Sequence, residues 1–150
     1  MKKALVISGG GCKGAFAGGF AQYLIEEAGQ HYELFMGTST GSLLVSHLAV
    51  NEINAIKHAF THVTQESIFS NSPFIMKRKG KIAKIKINHF NVIKNFYRGR
   101  KTFGESKNLR KLLANSISPE IFYQIKSSHK EVVVCVSNFT LNEIEYKALS

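Results

Sequence analysis

The stretch Tyr32-Glu33-Leu34-Phe35-Met36-Gly37-Thr38-Ser39-Thr40-Gly41-Ser42-Leu43-Leu44-Val45-Ser46-His47-Leu48 decides the fold. Tyr32 to Met36 reads as a short strand, and Leu43, Leu44, His47 and Leu48 recur on one helical face. Between them Gly37-Thr38-Ser39-Thr40-Gly41 fits G-x-S-x-G, the turn that holds a serine in a strained bend between a strand and a helix. The residues two before and two after the serine must be small so that strand and helix can pass closely, and both are glycine. The helix starting at Gly41 also points its positive N-terminal end at the serine oxygen. Alone, the pentapeptide fits an inconsequential Gly/Ser-rich loop about as well; its place between a strand and a helix is what favours the catalytic reading.

Upstream, Lys3 to Ile7 reads as a strand, and Ala15, Phe16, Phe20, Tyr23 and Leu24 recur at helical spacing until Gly29 offers a C-cap. The loop between them is Gly9-Gly10-Gly11-Cys12-Lys13-Gly14. Adjacent glycines leave backbone N–H groups unscreened and able to converge on an anion, such as the oxyanion of a tetrahedral intermediate. Lys13 adds positive charge at the same rim. The same glycines satisfy the G-x-G-x-x-G dinucleotide fingerprint, which calls for an acidic residue about 20 positions on at the end of the second strand. That strand ends in Gly37-Thr38-Ser39, and Glu26, Glu27 and Glu33 fall too early. A phosphate-binding P-loop needs Gly-Lys-Ser/Thr, whereas Lys13 is followed by Gly14 and Ala15.

Downstream, Asn54 to Val63 reads as a helix and Ser67 to Pro73 as a polar loop. Phe74 to Arg100 mixes signals: Ile82, Ile85, Val92, Ile93 and Phe96 lie near helical spacing, while Ile85 and Ile87 alternate with lysines. We read it as a basic amphipathic insertion. Glu105 to Ile117 reads as a helix stopped before Pro119. Glu131 to Val136 suits a buried parallel strand, and Glu143 to Ala148 another. Strands alternating with helices predict an α/β fold with a mostly parallel sheet. Residues 1–150 are expected to form one domain, with 67–104 as an insertion or lid within it.

The chain has a formal charge of +10, 44% hydrophobic residues and 20% charged residues, the composition of a soluble globular protein. Between Ser67 and Gly104 there are ten Lys/Arg and no acid, so the net charge lies in that segment. A basic stripe of this kind suits lipid headgroups, phosphate or nucleic acid, and equally a solvated face. Cys12 reads as a small residue in a tight turn and Cys135 as core; neither implies a metal site or a disulfide framework. The N-terminus lacks a secretory apolar region and no run approaches the roughly 18 apolar residues of a spanning helix, so a cytoplasmic protein, peripheral to membrane at most, is expected.

The two glycine motifs, in this order and spacing, resemble those of the patatin-like phospholipase family. The resemblance is firm over Ala4 to His47. It is weaker over Glu105 to Ala148, through Leu109-Arg110-Lys111-Leu112-Leu113 and the strand Val132 to Val136, and Phe74 to Arg100 matches no motif. It implies a three-layer α/β sandwich and a Ser/Asp dyad acting on phospholipid or another acyl ester, without cofactor or metal. Ser39 would be the nucleophile. Gly9, Gly10, Gly11, Lys13, Gly14 and Thr40 would form the oxyanion hole, with Gly37, Thr38 and Gly41 shaping the elbow.

The family's aspartate lies in a downstream Asp-Gly-Gly or Asp-Gly-Ala motif, and these 150 residues contain no aspartate. Ser150 is therefore expected to be a truncation point, and the chain by itself nearly inactive, since loss of the base costs on the order of 10⁴ to 10⁶ in turnover. His47, two helical turns beyond Ser39, is too distant to replace it. His58, His62, His89 and His129 show no metal-ligand spacing. Ranked below the hydrolase are three readings: a degenerate lipid-binding member of the family; a nucleic-acid-binding module in which Lys77 to Lys101 interleave Ile82, Phe90, Phe96 and Tyr97; and a dinucleotide-binding domain. An anionic membrane surface contacting Lys77 to Lys101 is the further partner expected.

Overall fold

The computed structural model describes residues 2–79, 82–100 and 104–149. Its elements, in chain order, begin with β1 (Ala4–Ile7), α1 (Gly14–Gln22), β2 (Leu34–Thr38), α2 (Thr40–Ala49), α3 (Ile53–His62) and the single-turn α4 (Gln65–Ile68). They continue with β3 (Phe74–Lys79), β4 (Ile82–Ile87), α5 (His89–Tyr97), α6 (Lys107–Ser116), α7 (Pro119–Ser127), β5 (Glu131–Asn138) and β6 (Glu143–Leu149). They divide into two units, Met1–His62 with Ser116–Ser150, and Val63–Asn115.

In the first unit β1, β2 and β5 run parallel in that spatial order, and β6 closes the edge antiparallel to β5. The register sets Leu5 beside Phe35 and Phe35 beside Val132. Side chains alternate across a strand, so these residues share one face with Ile7. Onto that face α2 lays Leu44, Val45, Leu48 and Ala49, all buried, and α7 adds Ile125. Burying a leucine, valine or isoleucine side chain stabilises by about 1.5–3 kcal/mol. The parallel strands advance in one direction across the sheet, and right-handed crossovers then place the connecting helices on one face. The opposite face carries Val6, Met36, Val133, Cys135, Ile144 and Tyr146, of which Val6, Ile144 and Tyr146 are exposed. The α/β class and mostly parallel sheet are those predicted; among the described residues of this unit the helices cover one side of it.

Helix α1 continues as a π-helical turn over Tyr23–Glu27, and Gly29 ends it in the left-handed region at φ 60°, as its position predicted. Lys130 donates from Nζ to the Ala49 carbonyl at 2.7 Å and lies 5.6 Å from the Phe35 ring centroid, setting a cation at the negative C-terminus of α2. Two expectations need correction. Pro119, read only as a stop, begins α7: its fixed φ suits the first helical position, where its missing N–H is not needed. And Glu143–Leu149 pairs antiparallel, because the short connection from β5 leaves no room for a crossover.

The second unit is built differently. Phe74 to Arg100, mixed in the sequence, forms the antiparallel hairpin β3–β4 followed by α5. Polar groups hold the unit together. Asn71 donates from Nδ2 to Asn95 Oδ1 at 2.7 Å, Asn91 to the Ser72 carbonyl at 3.0 Å, and Asn108 to the Glu66 carbonyl at 2.8 Å. Glu105 bridges to Asn71 through backbone and meets Arg100 at 2.7 Å. Among the described residues of this unit only Pro73 and Asn95 are buried. Lys81 and Lys101 of the basic run, and Ser150, lie outside the described residues.

Candidate active site

Strand β2 hands the chain to α2 through Ser39 alone. Ser39 stands at φ 55°, ψ −124°, a conformation that strains any residue with a Cβ. The strain is imposed by the crossing around it. A Cβ on Gly37 would fall 2.4 Å from the Gly41 carbonyl carbon, and one on Gly41 would fall 2.1 Å from the Ile7 carbonyl oxygen. Strand and helix therefore touch backbone to backbone. Ser42 braces the bend, its Oγ donating to the Gly37 carbonyl at 2.9 Å and its N–H to the Ser39 carbonyl at 3.0 Å. Ser39 is exposed, at the carboxyl end of the parallel strands, where ligands of open α/β sheets bind.

The glycine loop leaves β1 at the same end. A Cβ on Gly9 would lie 2.8 Å from Ser39 Cβ and 3.5 Å from its Oγ, so the Gly9 backbone is pressed against the serine side chain. Gly10 donates its N–H to Thr40 Oγ1 at 3.2 Å, tying the loop to the elbow across 30 residues. Gly11 adopts φ 56° and turns the chain into the 3₁₀ turn Gly11–Lys13. The Gly14 N–H goes back to the carbonyls of Gly11 and Cys12, and its Cα packs against Phe60 and Thr40, where a Cβ would meet Phe60 Cζ at 2.8 Å. Lys13 and Cys12 are exposed on the rim, as is Thr38. Thr40, the first residue of α2, has no intrahelical acceptor for its N–H.

The site thus sets a strained, exposed serine at the head of a helix with Gly9 pressed against it. The family model of patatin-like phospholipases matches residues 5–144. The chain belongs to the patatin-like phospholipase family. Membership brings hydrolase chemistry on lipid substrates. No curated protein and no solved structure matches.

Other groups in this patatin-like chain stand apart from Ser39. His47 is buried, its Nδ1 2.9 Å from the Leu43 carbonyl and its Nε2 3.0 Å from the Ser116 carbonyl, and it joins α2 to the returning chain. His58 and His62, both exposed on α3, stack with centroids 4.2 Å apart. A cavity of about 290 Å³, lined by Ala49, Asn51, Gln124 and Lys130, sits at the far end of α2, where ten residues at 1.5 Å separate it from the elbow by about 15 Å. Among the described residues no side chain is hydrogen-bonded to Ser39 Oγ.

Sequence reading missed Thr40 Oγ1 as the tie to Gly10, Ser42 as the brace of the elbow and Phe60 as the packing partner of Gly14. No local pattern marks the first or third, because their partners are brought near only by folding. Ser42, one residue beyond the glycine of the pentapeptide, carried a readable signal: a hydroxyl in the first turn of a helix seeks a nearby backbone group.

Proposed function

We propose that these residues supply the nucleophile and the oxyanion donors of a lipid acyl ester hydrolase. Ser39 Oγ attacks the acyl carbonyl carbon and passes its proton to a base. The carbonyl oxygen takes the negative charge, and collapse of the intermediate expels the alcohol as a lysolipid. Water then hydrolyses the acyl-serine, releasing the fatty acid and restoring Ser39. The observation that carries this reading is the backbone of Ser39, held at φ 55° with its side chain exposed against Gly9.

The Gly11 and Thr40 amides are the oxyanion donors in this reading. Gly10 joins them by exchanging its bond to Thr40 Oγ1 for one to the oxyanion, while Gly9 and Gly14 serve by close approach and Lys13 by charge. Removing one such donor costs about 10² to 10³ in turnover. The base is the aspartate of a Ser/Asp dyad, contributed from outside residues 1–150, which contain none. Phospholipid is the substrate we assign.

The test is labelling with a fluorophosphonate, followed by intact mass and peptide sequencing. A single adduct on Ser39, absent in Ser39→Ala, is expected. A folded chain that takes no adduct, or takes it equally in Ser39→Ala, overturns the assignment. Without the base, phospholipid turnover should stay on the order of 10⁴ to 10⁶ below a dyad-complete enzyme.

A further inference from the structure

The second unit turns its apolar residues outward. In the β3–β4 register Phe74 faces Ile87 and Met76 faces Ile85, so these four share one side of the hairpin. All four are exposed, Ile85 at 64%. The other side presents Ile75 opposite Lys86 and Lys77 opposite Lys84. The next element repeats the design: on α5, Phe90, Ile93 and Tyr97 fall at i, i+3 and i+7, one helical stripe, with exposures of 76%, 65% and 95%. Among the described residues only Phe74 of this surface meets a ring, edge-on against Phe69 with centroids 6.2 Å apart, and Asn71, Asn91 and Asn108 tie the unit's segments together through hydrogen bonds. Exposed apolar clusters rimmed by cations mark an interaction site.

We infer that the hairpin and α5 form an amphipathic wedge that docks on an anionic phospholipid surface, its apolar side entering the acyl boundary and its lysines lying among the headgroups. Charge selects the partner's sign: ten Lys/Arg and no acid lie between Ser67 and Gly104. Aliphatic chemistry selects its class. Isoleucine and methionine gain free energy from acyl chains, whereas single-stranded nucleic acid is gripped by aromatic stacking and polar contacts. Each lysine near an anionic bilayer adds attraction that salt screens, and its stem can lie along apolar surface while the ammonium stays in the headgroup zone. Docking does not require Ser39, so it can fail while the hydrolase reading stands, and the reverse.

The experiment uses the whole chain and vesicles of phosphatidylcholine with or without phosphatidylglycerol. The protein contains no tryptophan, so a single introduced one reports its own surroundings. Ile85→Trp and Ile93→Trp should shift to the blue and be quenched by brominated lipid on anionic vesicles, while Lys84→Trp should not. The double variant Ile85→Ser/Ile93→Ser should bind roughly tenfold or more weakly with its circular dichroism unchanged. Lys84→Glu/Lys86→Glu should lose the preference for anionic lipid, and Ser39→Ala should bind as the parent does. Absence of vesicle binding, binding without quenching at Ile85→Trp and Ile93→Trp, or tighter binding to a short single-stranded RNA would each overturn the proposal.

Discussion

The two units of this chain place their apolar side chains in opposite ways. Met1–His62 with Ser116–Ser150 buries Phe35, Leu44, Leu48 and Ile125 between sheet and helices and leaves the strained Ser39 exposed. Val63–Asn115 buries an asparagine and exposes isoleucine, phenylalanine and tyrosine. The lesson concerns what each unit can spare. A parallel sheet covered by helices makes a dry core strong enough to hold one residue in a strained conformation. A hairpin and short helices cannot build such a core, so hydrogen bonds hold them, and their apolar surface is left for something else to cover.

The largest effect should come from Phe35→Ala, which removes a fully buried ring beneath α2 and should cost about 3–5 kcal/mol in urea unfolding. Tyr97→Ala, an exposed aromatic of the second unit, should change stability by no more than about 0.5 kcal/mol. Equal costs would break the comparison.

The glycine crossing sharpens it within the first unit. Gly41→Ala drives a methyl to 2.1 Å from the Ile7 carbonyl oxygen and should cost about 3 kcal/mol, with loss of fluorophosphonate labelling at Ser39. Gly19→Ala, on α1 with nothing within 4 Å, should be neutral or stabilise by about 0.5–1 kcal/mol. Thermal unfolding of both variants checks the pair.

Asn95→Ala tests the polar junction from the other side. Its buried amide accepts from Asn71, so the substitution should destabilise the second unit by about 1–3 kcal/mol. Hydrogen exchange should quicken in residues 63–115 and stay unchanged in β1, β2 and β5. Loosening of both units together would show that they share one stability.

Smallest is the effect of pH. Hydrogen bonds from Lys147 and then Asn138 hold the Glu145 carboxyl below its ordinary value of 4.5. In the second unit Glu66 is lowered by a backbone hydrogen bond and then by Thr64. A depressed carboxylate stabilises the fold above its unfolded-state value, and that contribution fades as pH falls through the folded value. Glu145→Gln should therefore be slightly less stable than the parent at neutral pH, with the two curves converging below pH 4.5. Curves that stay parallel into acid would remove Glu145 from the account.

Much of the first unit was legible because its signals are short in range. Lys3 to Ile7, Gly29 and the bend at Ser39 each declare themselves within a few residues. α7 was missed because Pro119 serves as both stop and start, and only Ser118 before it and Ile121 and Ile125 after it tell which. The hairpin was hidden because the alternation of Ile85 and Ile87 with lysines was outweighed by the helical spacing around it. Where the second unit's apolar residues would point could not be read either, since exposure depends on what fails to pack against them.

By itself the sequence determined the two strand–glycine–helix units and the identity of the residue at the bend. Steric exclusion at Gly37, against Gly41 and Ser42, and the left-handed turns at Gly11 and Gly29 are properties of a few consecutive residues. Only tertiary structure decided that Thr40 Oγ1 accepts from Gly10, that Gly9 presses on Ser39, that Glu143–Leu149 runs antiparallel and that His47 ties α2 to Ser116. Each of those depends on groups separated by many residues meeting once the sheet has formed, and hydrogen bonds and contacts of that kind leave no local pattern for a sequence to show.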